Sequence, residues 1–167
     1  MEASPTAITT VSFFRYRGWG DRWWGFKQMG LSGKDLEQVD GLRFAKMLGS
    51  GGGNGFSIWP NLGTYGLLGV WESEAAAEQF FEHHPLYQSF RERCSAWWNL
   101  YMHAAKAHGE WEGEQPFPIS TPYDPQQLVG VLTRATITPS TSGGSGGSCR
   151  LSAGPSRISR ACSFPLV

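Results

Sequence analysis

Residues 42–72, LRFAKMLGSGGGNGFSIWPNLGTYGLLGVWE, are the clearest indication of the fold because they contain two strand-like runs joined by a glycine-rich loop. Apolar and basic residues alternate over residues 42–48, which predicts a half-buried strand. Residues 65–71 are almost all apolar, which predicts a strand covered on both faces. The loop ends in three large apolar side chains, Phe56, Ile58 and Trp59. Because a flexible spacer would not carry such side chains, we interpret the loop as one wall of an apolar cavity.

The segments beside this hairpin supply the rest of a small α+β unit. Residues 8–16, ITTVSFFRY, predict a first strand, and DRWWGFKQM at 21–29 predicts a short helix with Asp21 as its N-cap. Ser73 is placed to cap a second helix over SEAAAEQFFEHH, with acidic residues in its first turn. Pro85 either interrupts this helix or starts another helical piece.

The later part of the unit is predicted from periodicity. Six apolar residues beyond Pro85 recur at helical spacing and predict a long aromatic helix: Tyr87, Phe90, Cys94, Trp97, Trp98 and Tyr101. Residues 104–111 are then expected to return as a fourth strand, and residues 128–137, LVGVLTRATI, to form one extra strand. The resulting order β-α-β-β-α-β is that of a ferredoxin-like α+β fold over residues 1–118.

The chain changes character after residue 118. Residues 119–139 predict a connector and the first strand of an incomplete second unit. Residues 140–167 are rich in Ser, Gly and Arg and contain no acidic residue and no lysine, which predicts a disordered, low-complexity tail. Two explanations stay open, a natural tail and a truncated or frame-shifted gene, and we favour the second.

Composition excludes several classes of function. The 14 basic residues balance the 14 acidic ones, so nucleic acid is not an expected partner. The three cysteines have neither metal-ligand spacing nor a disulfide framework. No signal peptide and no bilayer-spanning run is readable, so we expect a cytoplasmic protein, with peripheral membrane contact left open. Ser-His-Asp, paired-carboxylate and HExxH motifs are not found, so a hydrolase is not supported.

Four stretches resemble the spheroidene monooxygenase family of carotenoid biosynthesis: FFRYRG at 13–18, KMLGSGGGNGFSIWPNLGTYGLLGVWE at 46–72, AHGEWEGEQPF at 107–117 and VLTRATITP at 131–139. The resemblance covers about residues 8–139. It implies a dimeric α/β-barrel arrangement, in which two ferredoxin-like units face each other. It also implies a haem-dependent oxygenase that uses O₂ and reduced ferredoxin to place a keto group on an acyclic carotenoid such as spheroidene.

The implied chemistry requires an apolar slot for a long polyene, and the 8 Trp and 10 Phe can supply its walls. We predict that the substrate contacts Trp23, Trp24, Gly52, Gly53, Phe56, Trp59 and Trp97, with Trp19, Phe26 and Trp98 as further candidates. The glycines would allow a ligand to approach the backbone closely. The alternative, that many of these rings simply fill the core, stays open.

The resemblance also implies an axial ligand for haem iron, and four histidines could provide one. We predict His108, which lies in a family-like stretch before a glycine, ahead of His83, His84 and His103. Two alternatives stay open, a ligand in a second half that is missing here and no haem in this chain. Arg15 and Arg43 are predicted to bind the haem propionates, with Arg17, Lys46 and Arg134 as weaker candidates. Charges on the outer face of a strand need no such role, and no residue is predicted to be catalytic.

Two other functions remain open. The chain could be a catalytically inactive relative that binds a polyene or haem without turnover, or a different small-molecule oxygenase with the same fold. One ferredoxin-like unit with an uncovered sheet face needs a partner, so we expect a homodimer.

Overall fold

The computed structural model describes residues 7–51, 60–111 and 113–132. Within these ranges the elements are β1 (Ile8–Arg15), α1 (Trp19–Leu31), α2 (Gly33–Leu36), β2 (Leu42–Gly51), β3 (Pro60–Trp71), α3 (Glu74–His83), α4 (Pro85–Arg93) and β4 (Ala96–Met102). The chain divides into two units, residues 1–130 and 131–167. All of these elements lie in the first unit, and the described ranges include only residues 131 and 132 of the second.

The four strands form one antiparallel sheet in the order β2-β3-β1-β4. α1 and α2 connect β1 to β2, and α3 and α4 connect β3 to β4. This succession and strand order define a ferredoxin-like fold, so the predicted fold class is confirmed. Among the described residues, no helix is both long enough and apolar enough to cross a membrane.

The β2–β3 hairpin confirms the two strands expected beside the glycine-rich loop. Ser50 pairs with Asn61 and Gly51 pairs with Pro60, so both strands extend further toward the loop than predicted. Residues 65–71 are all buried, as expected for a strand covered on both faces. The predicted contacts Gly52, Gly53, Phe56 and Trp59, and with them the cavity wall, lie outside the described residues.

Local signals account for the starts of two helices. The Ser73 Oγ accepts a hydrogen bond from the Ala76 N–H at 3.2 Å, which confirms the predicted cap of α3. α4 begins at Pro85, whose fixed φ suits a first helical turn. The prediction of Asp21 as an N-cap was wrong, because α1 begins at Trp19 and Asp21 lies inside its first turn. A carboxylate there is still favoured by the helix dipole.

The long aromatic helix expected beyond Pro85 was wrong. α4 ends at Arg93, and residues 96–102 form the edge strand β4. Asn99 and Tyr101 face the helices, where Asn99 Oδ1 accepts from the Tyr87 hydroxyl at 2.7 Å, and the even-numbered side chains face the other way. Aromatic residues favour strands, and rings on both faces of β4 imitate a helical stripe in the sequence.

β4 also occupies the position of the fourth strand that was expected at residues 104–111, so that prediction was wrong as well. At the end of this stretch the described residues contain one isolated bridge, between Trp111 and Glu114. Residues 128–132 form no strand, and the rest of the extra strand predicted at 128–137 lies outside the described residues.

The hydrophobic core lies between the helices and one side of the sheet. Its rings include Phe14 of β1 and Phe90 of α4, whose centroids are 5.0 Å apart, and Trp71 of β3. Trp71 is 1% exposed, and its Nε1–H donates to the Thr10 Oγ1 at 2.8 Å. This bond satisfies the one polar group that the indole carries into the core.

Candidate functional site

The side of the sheet that faces away from the helices is the candidate site. We call it the open face, and it consists of alternate residues on all four strands: Val11, Phe13 and Arg15 of β1; Phe44, Lys46 and Leu48 of β2; Leu68 and Val70 of β3; Trp98, Leu100 and Met102 of β4. The residues between them, such as Phe14, Leu67 and Trp71, belong to the core on the helix side. Because side chains alternate along a strand, this pattern assigns each residue to its face.

The β2 side of the open face is covered by the segment that follows β4. The ring centroid of Phe44 lies 5.6 Å from that of Trp111 and 6.4 Å from that of Phe117, in edge-on contacts. Leu68 and Val70, on the neighbouring strand β3, are fully buried. This part of the face is therefore closed within a single unit.

The β1–β4 side of the open face is apolar and partly exposed. Phe13 and Trp98 are paired across the two strands, and their rings stack at 4.8 Å with an interplanar angle of 25°. Trp98 is 43% exposed and Leu100 is 37% exposed. The exposed Arg15 lies at one end of this strip. We call Phe13, Arg15, Trp98 and Leu100 the aromatic strip.

The aromatic strip has the properties that a long, flat, apolar ligand requires. Stacked rings offer many dispersion contacts to a conjugated chain, and apolar patches left exposed on a domain commonly mark binding surfaces. Because the strip faces solvent in one unit, a ligand on it would be enclosed only when a second layer covers the sheet.

The three predicted substrate-binding tryptophans that lie in the described residues are not brought together. Trp23 is 58% exposed on α1. Trp24 is half-buried against the core, with the Arg93 guanidinium 4.9 Å from its ring centroid. Trp97 is on the helix side of β4, with the Arg91 guanidinium 4.5 Å from its ring centroid. Their roles in substrate binding stay predictions.

The predicted cofactor-binding residues are also spread over the molecule. Arg15 belongs to the aromatic strip. Arg43 lies at an irregularity of β2 and forms an exposed ion pair with Glu72 at 3.4 Å. His108, the predicted iron ligand, is exposed on the segment that follows β4. These three residues share no cleft among the described residues that would assemble them into one site.

The described residues do not by themselves fit a haem. His83, His103 and His108 are exposed, and the half-buried His84 uses its Nδ1 to accept the Leu86 N–H at 3.3 Å. A haem needs an apolar slot with an axial ligand facing into it, and none of these histidines has such surroundings. Over the same described ranges, no group of three or more His, Cys, Asp or Glu residues could hold a metal ion.

Two surface clefts in the described part of the chain do not suit a polyene either. One, of about 470 Å³, is lined by polar side chains: Ser73, Glu74, His103, Ser120 and Thr121. The other, of about 150 Å³, lies between α2 and the start of β2. Pockets for apolar ligands are lined mainly by hydrophobic and aromatic side chains, so the aromatic strip is the stronger candidate.

A buried phenol lies on the helix side of the sheet. Tyr16 is 1% exposed, and its hydroxyl has no hydrogen-bond partner among the described residues. Burial raises the pKa of Tyr16 well above its ordinary value, and the nearby Cys94 and Asp21 add to this effect. The phenol therefore stays neutral. Its ring lies in edge-on contact with Trp24, which makes Tyr16 part of the packed core.

Sequence reasoning did not single out Phe13, and it named Trp98 only as a further candidate. The signal was present in AWWNLYM at 96–102. Treated as a strand, this run places Trp98 and Leu100 on one face and Trp97 on the other. If residues 96–102 are instead taken as a helix, the alternation of Trp97 and Trp98 between two faces is not predicted.

The fold and the aromatic strip define a ferredoxin-like α+β unit with an apolar surface on the side of the sheet that carries no helices. The chain is similar to three curated proteins named spheroidene monooxygenase. It is 30% identical over 128 residues to that of Cereibacter sphaeroides, covering 77% of this chain and 40% of the relative. It is 31% identical over 135 residues to that of Rhodobacter capsulatus, covering 79% of this chain and 56% of the relative. It is 33% identical over 119 residues to that of Rubrivivax gelatinosus, covering 71% of this chain and 46% of the relative.

The resemblance expected from the sequence motifs is therefore confirmed, and the chain spans about half the length of the curated relatives it matches. No family model matches the chain. Similar solved structures include SnoaB, a cofactor-independent oxygenase from Streptomyces nogalater (TM-score 0.45, 14% identity, 63% of this chain and 99% of that one). Another is a dimeric ferredoxin-like protein from Jannaschia sp. CCS1 (TM-score 0.45, 15% identity, 59% and 99%). At these TM-scores the fold assignment rests on the strand order described above.

Proposed function

We propose that this chain is part of a carotenoid-oxygenating enzyme of the spheroidene monooxygenase type, and that its aromatic strip binds the polyene. The similarity to three proteins of that name carries the proposal. Because the chain spans only 40–56% of their length, the activity, the substrate and the partners are all parts of this proposal.

The shape of the aromatic strip supports the choice of a polyene. The seven residues of β4 span roughly 20 Å at the usual rise of a strand, and the paired residues Phe13 and Trp98 present stacked rings side by side at one position along that length. A conjugated chain laid parallel to β4 would cover Trp98 and Leu100, the two most exposed apolar side chains of the open face. The chain's own residues would thus hold the substrate in place and exclude water from it.

A second layer is needed to enclose such a ligand. A second copy of the chain, placed sheet against sheet, would bury the aromatic strips of both copies and leave the polyene between them. A homodimer is therefore part of the proposal. The partial exposure of Trp98 and Leu100 supports it, since a lone domain gains nothing from leaving them in water.

The finer assignment is taken from the family resemblance. It comprises haem iron as cofactor, electrons from reduced ferredoxin, and insertion of a keto group into an acyclic carotenoid by O₂. Because the described residues do not by themselves fit a haem, the role proposed for the aromatic strip is to hold the polyene, independently of the haem. His108 remains the predicted iron ligand and Arg43 a predicted propionate partner, and Arg15 would supply a cation at the end of the aromatic strip.

Expression of the chain in cells that accumulate spheroidene or lycopene tests the activity. We expect a ketocarotenoid, detected by chromatography and mass spectrometry. Polyene that co-purifies with the chain without a keto product would favour the alternative, a catalytically inactive relative. Detection of neither a keto product nor co-purified polyene would overturn the proposal. For the cofactor, folded protein mixed with haemin should develop a Soret band, and a folded sample without that band would remove haem from the assignment.

A further inference from the structure

α1 turns three of its four large aromatic side chains away from the core, and only Trp24 packs against it. Trp19 is 76% exposed, Trp23 is 58% exposed and Phe26 is 45% exposed. At about 100° per residue these three side chains fall within about 60° of one another around the helix. Gly25 lies about 100–160° further around the helix and marks the side that faces the core, because a Cβ there would lie 3.0 Å from ring atoms of Tyr65. A surface helix of a soluble domain normally turns its apolar side inward.

The exposed side chains of α1 form a continuous surface on a regular helix. Trp23 and Phe26 stack with centroids 5.4 Å apart and an interplanar angle of 21°. The Arg22 guanidinium lies 5.8 Å from the ring centroid of Trp19. Met29, 40% exposed, extends the surface toward the end of α1. We call Trp19, Trp23, Phe26 and Met29 the α1 stripe.

The surroundings of the α1 stripe are basic although the whole chain carries no net charge. Residues 15–34 contain one acidic residue, Asp21, and its carboxylate lies 3.5 Å from the Arg93 guanidinium. The next acidic residues, Asp35 and Glu37, follow on α2 and just beyond it. Apart from Arg15, which belongs to the aromatic strip, the same residues contain four basic side chains: Arg17, Arg22, Lys27 and Lys34. At about 100° per residue, Arg22 and Lys27 fall on either side of the three aromatic residues of the stripe.

We propose that the α1 stripe docks on an anionic lipid surface. Tryptophan is enriched where membrane meets water, because its ring is apolar and its N–H is polar. A helix with aromatic residues on one side and arginine and lysine beside them lies in that interface and binds more tightly when the lipids are anionic. Trp19, Trp23 and Phe26 would enter the headgroup region, while Arg22 and Lys27 would contact lipid phosphates. The proposal uses a surface distinct from the aromatic strip and does not depend on the polyene.

Co-sedimentation of the full chain with lipid vesicles tests this proposal. Vesicles of phosphatidylcholine alone are compared with vesicles that contain phosphatidylglycerol, at low and high salt. We expect binding to the anionic vesicles at least ten times tighter than to the neutral ones, weakened by salt. No binding to anionic vesicles by the folded chain would overturn the proposal.

Two variants of α1 and two controls locate the contact. Trp23→Ser with Phe26→Ser should weaken vesicle binding at least tenfold, and Lys27→Glu should weaken binding to anionic vesicles alone. Ile119→Ser with Tyr123→Ser removes apolar side chains of comparable exposure, 66% and 62%, from outside α1 and should leave binding within twofold. Residues 140–167 carry three arginines and no acidic residue, so they could attract anionic lipid independently of α1. A second control therefore replaces the three arginines with glutamine: Arg150, Arg157 and Arg160.

The outcomes separate lipid from other occupants of the stripe. Circular dichroism first establishes that each variant is folded. The proposal would be contradicted if the arginine control abolished vesicle binding while the α1 variants left it unchanged. The chain could instead fail to bind vesicles and, in light scattering, become monomeric when Trp23 and Phe26 are replaced. That result would assign the stripe to contact with a second copy of the chain and would also overturn the lipid proposal.

Discussion

Replacement of Trp98 by alanine should weaken polyene binding while the fold is retained. Trp98 is 43% exposed, and its ring stacks on that of Phe13. A tryptophan buries up to about 250 Å² when fully covered, so roughly 100 Å² of its surface is available to a ligand. At about 25 cal/mol per Å², covering that surface contributes about 2.5 kcal/mol. Loss of this contribution should raise the Kd for spheroidene about 70-fold.

The adjacent residue provides a matched control. Trp97 is 47% exposed and lies on the same strand, but it faces the helices beside Arg91. If the aromatic strip binds the polyene, Trp97→Ala should therefore change the Kd less than about threefold, or ~0.6 kcal/mol; a larger loss would favour the separate prediction that Trp97 contacts the substrate. Binding is measured by titrating each purified, folded variant with spheroidene in dilute detergent and following the absorption spectrum of the polyene. A large loss in Trp97→Ala combined with unchanged binding in Trp98→Ala would show that the polyene does not lie on the aromatic strip.

Three further predictions concern stability. Ser73→Ala should lower the free energy of unfolding in urea by about 1 kcal/mol, because the Ala76 N–H loses its acceptor; Ser73→Asp keeps an acceptor and should match the wild type. Thr10→Val should cost about 1–3 kcal/mol, because the buried Trp71 N–H loses its partner, whereas Thr10→Ser should recover most of the loss. Burial raises the pKa of Tyr16 above its ordinary 10.0. As pH rises, the unfolded chain therefore loses the proton of the Tyr16 hydroxyl before the folded chain does, and the free energy of unfolding should fall above about pH 10. Tyr16→Phe should flatten that fall, and an equally steep fall in this variant would contradict the assignment.

Much of the fold could be predicted because local pattern and tertiary surroundings agree there. Residues 65–71 are apolar on both faces, and β3 is buried on both faces. Ser73 stands where a helix start needs an acceptor and provides it. β4 was missed because only residues 94 and 95 separate it from α4, and the aromatic residues of the two elements run together into one apparent helical stripe.

The candidate surfaces depend on contacts that a sequence pattern does not contain. Trp23, Phe26 and Met29 recur at helical spacing, which ordinarily indicates a core-facing side. Gly25 decides the orientation instead, because its missing side chain lets α1 approach the rings of Tyr65 and Tyr16. The rings of Trp23 and Phe26 are consequently exposed on the outer side of α1. The cover on the β2 side of the open face depends on contacts over more than sixty residues of sequence, such as that between Phe44 and Trp111, and periodicity carries no information about these.

Hydrogen–deuterium exchange with and without spheroidene tests most directly whether the aromatic strip binds the polyene. β4 is an edge strand, so its outward amides exchange readily unless something covers them. Relative to detergent alone, added spheroidene should slow exchange in peptides that span residues 8–15 and 96–102 and leave residues 19–31 unchanged. Slowing confined to residues 19–31, or no change anywhere while the polyene is bound, would contradict the account.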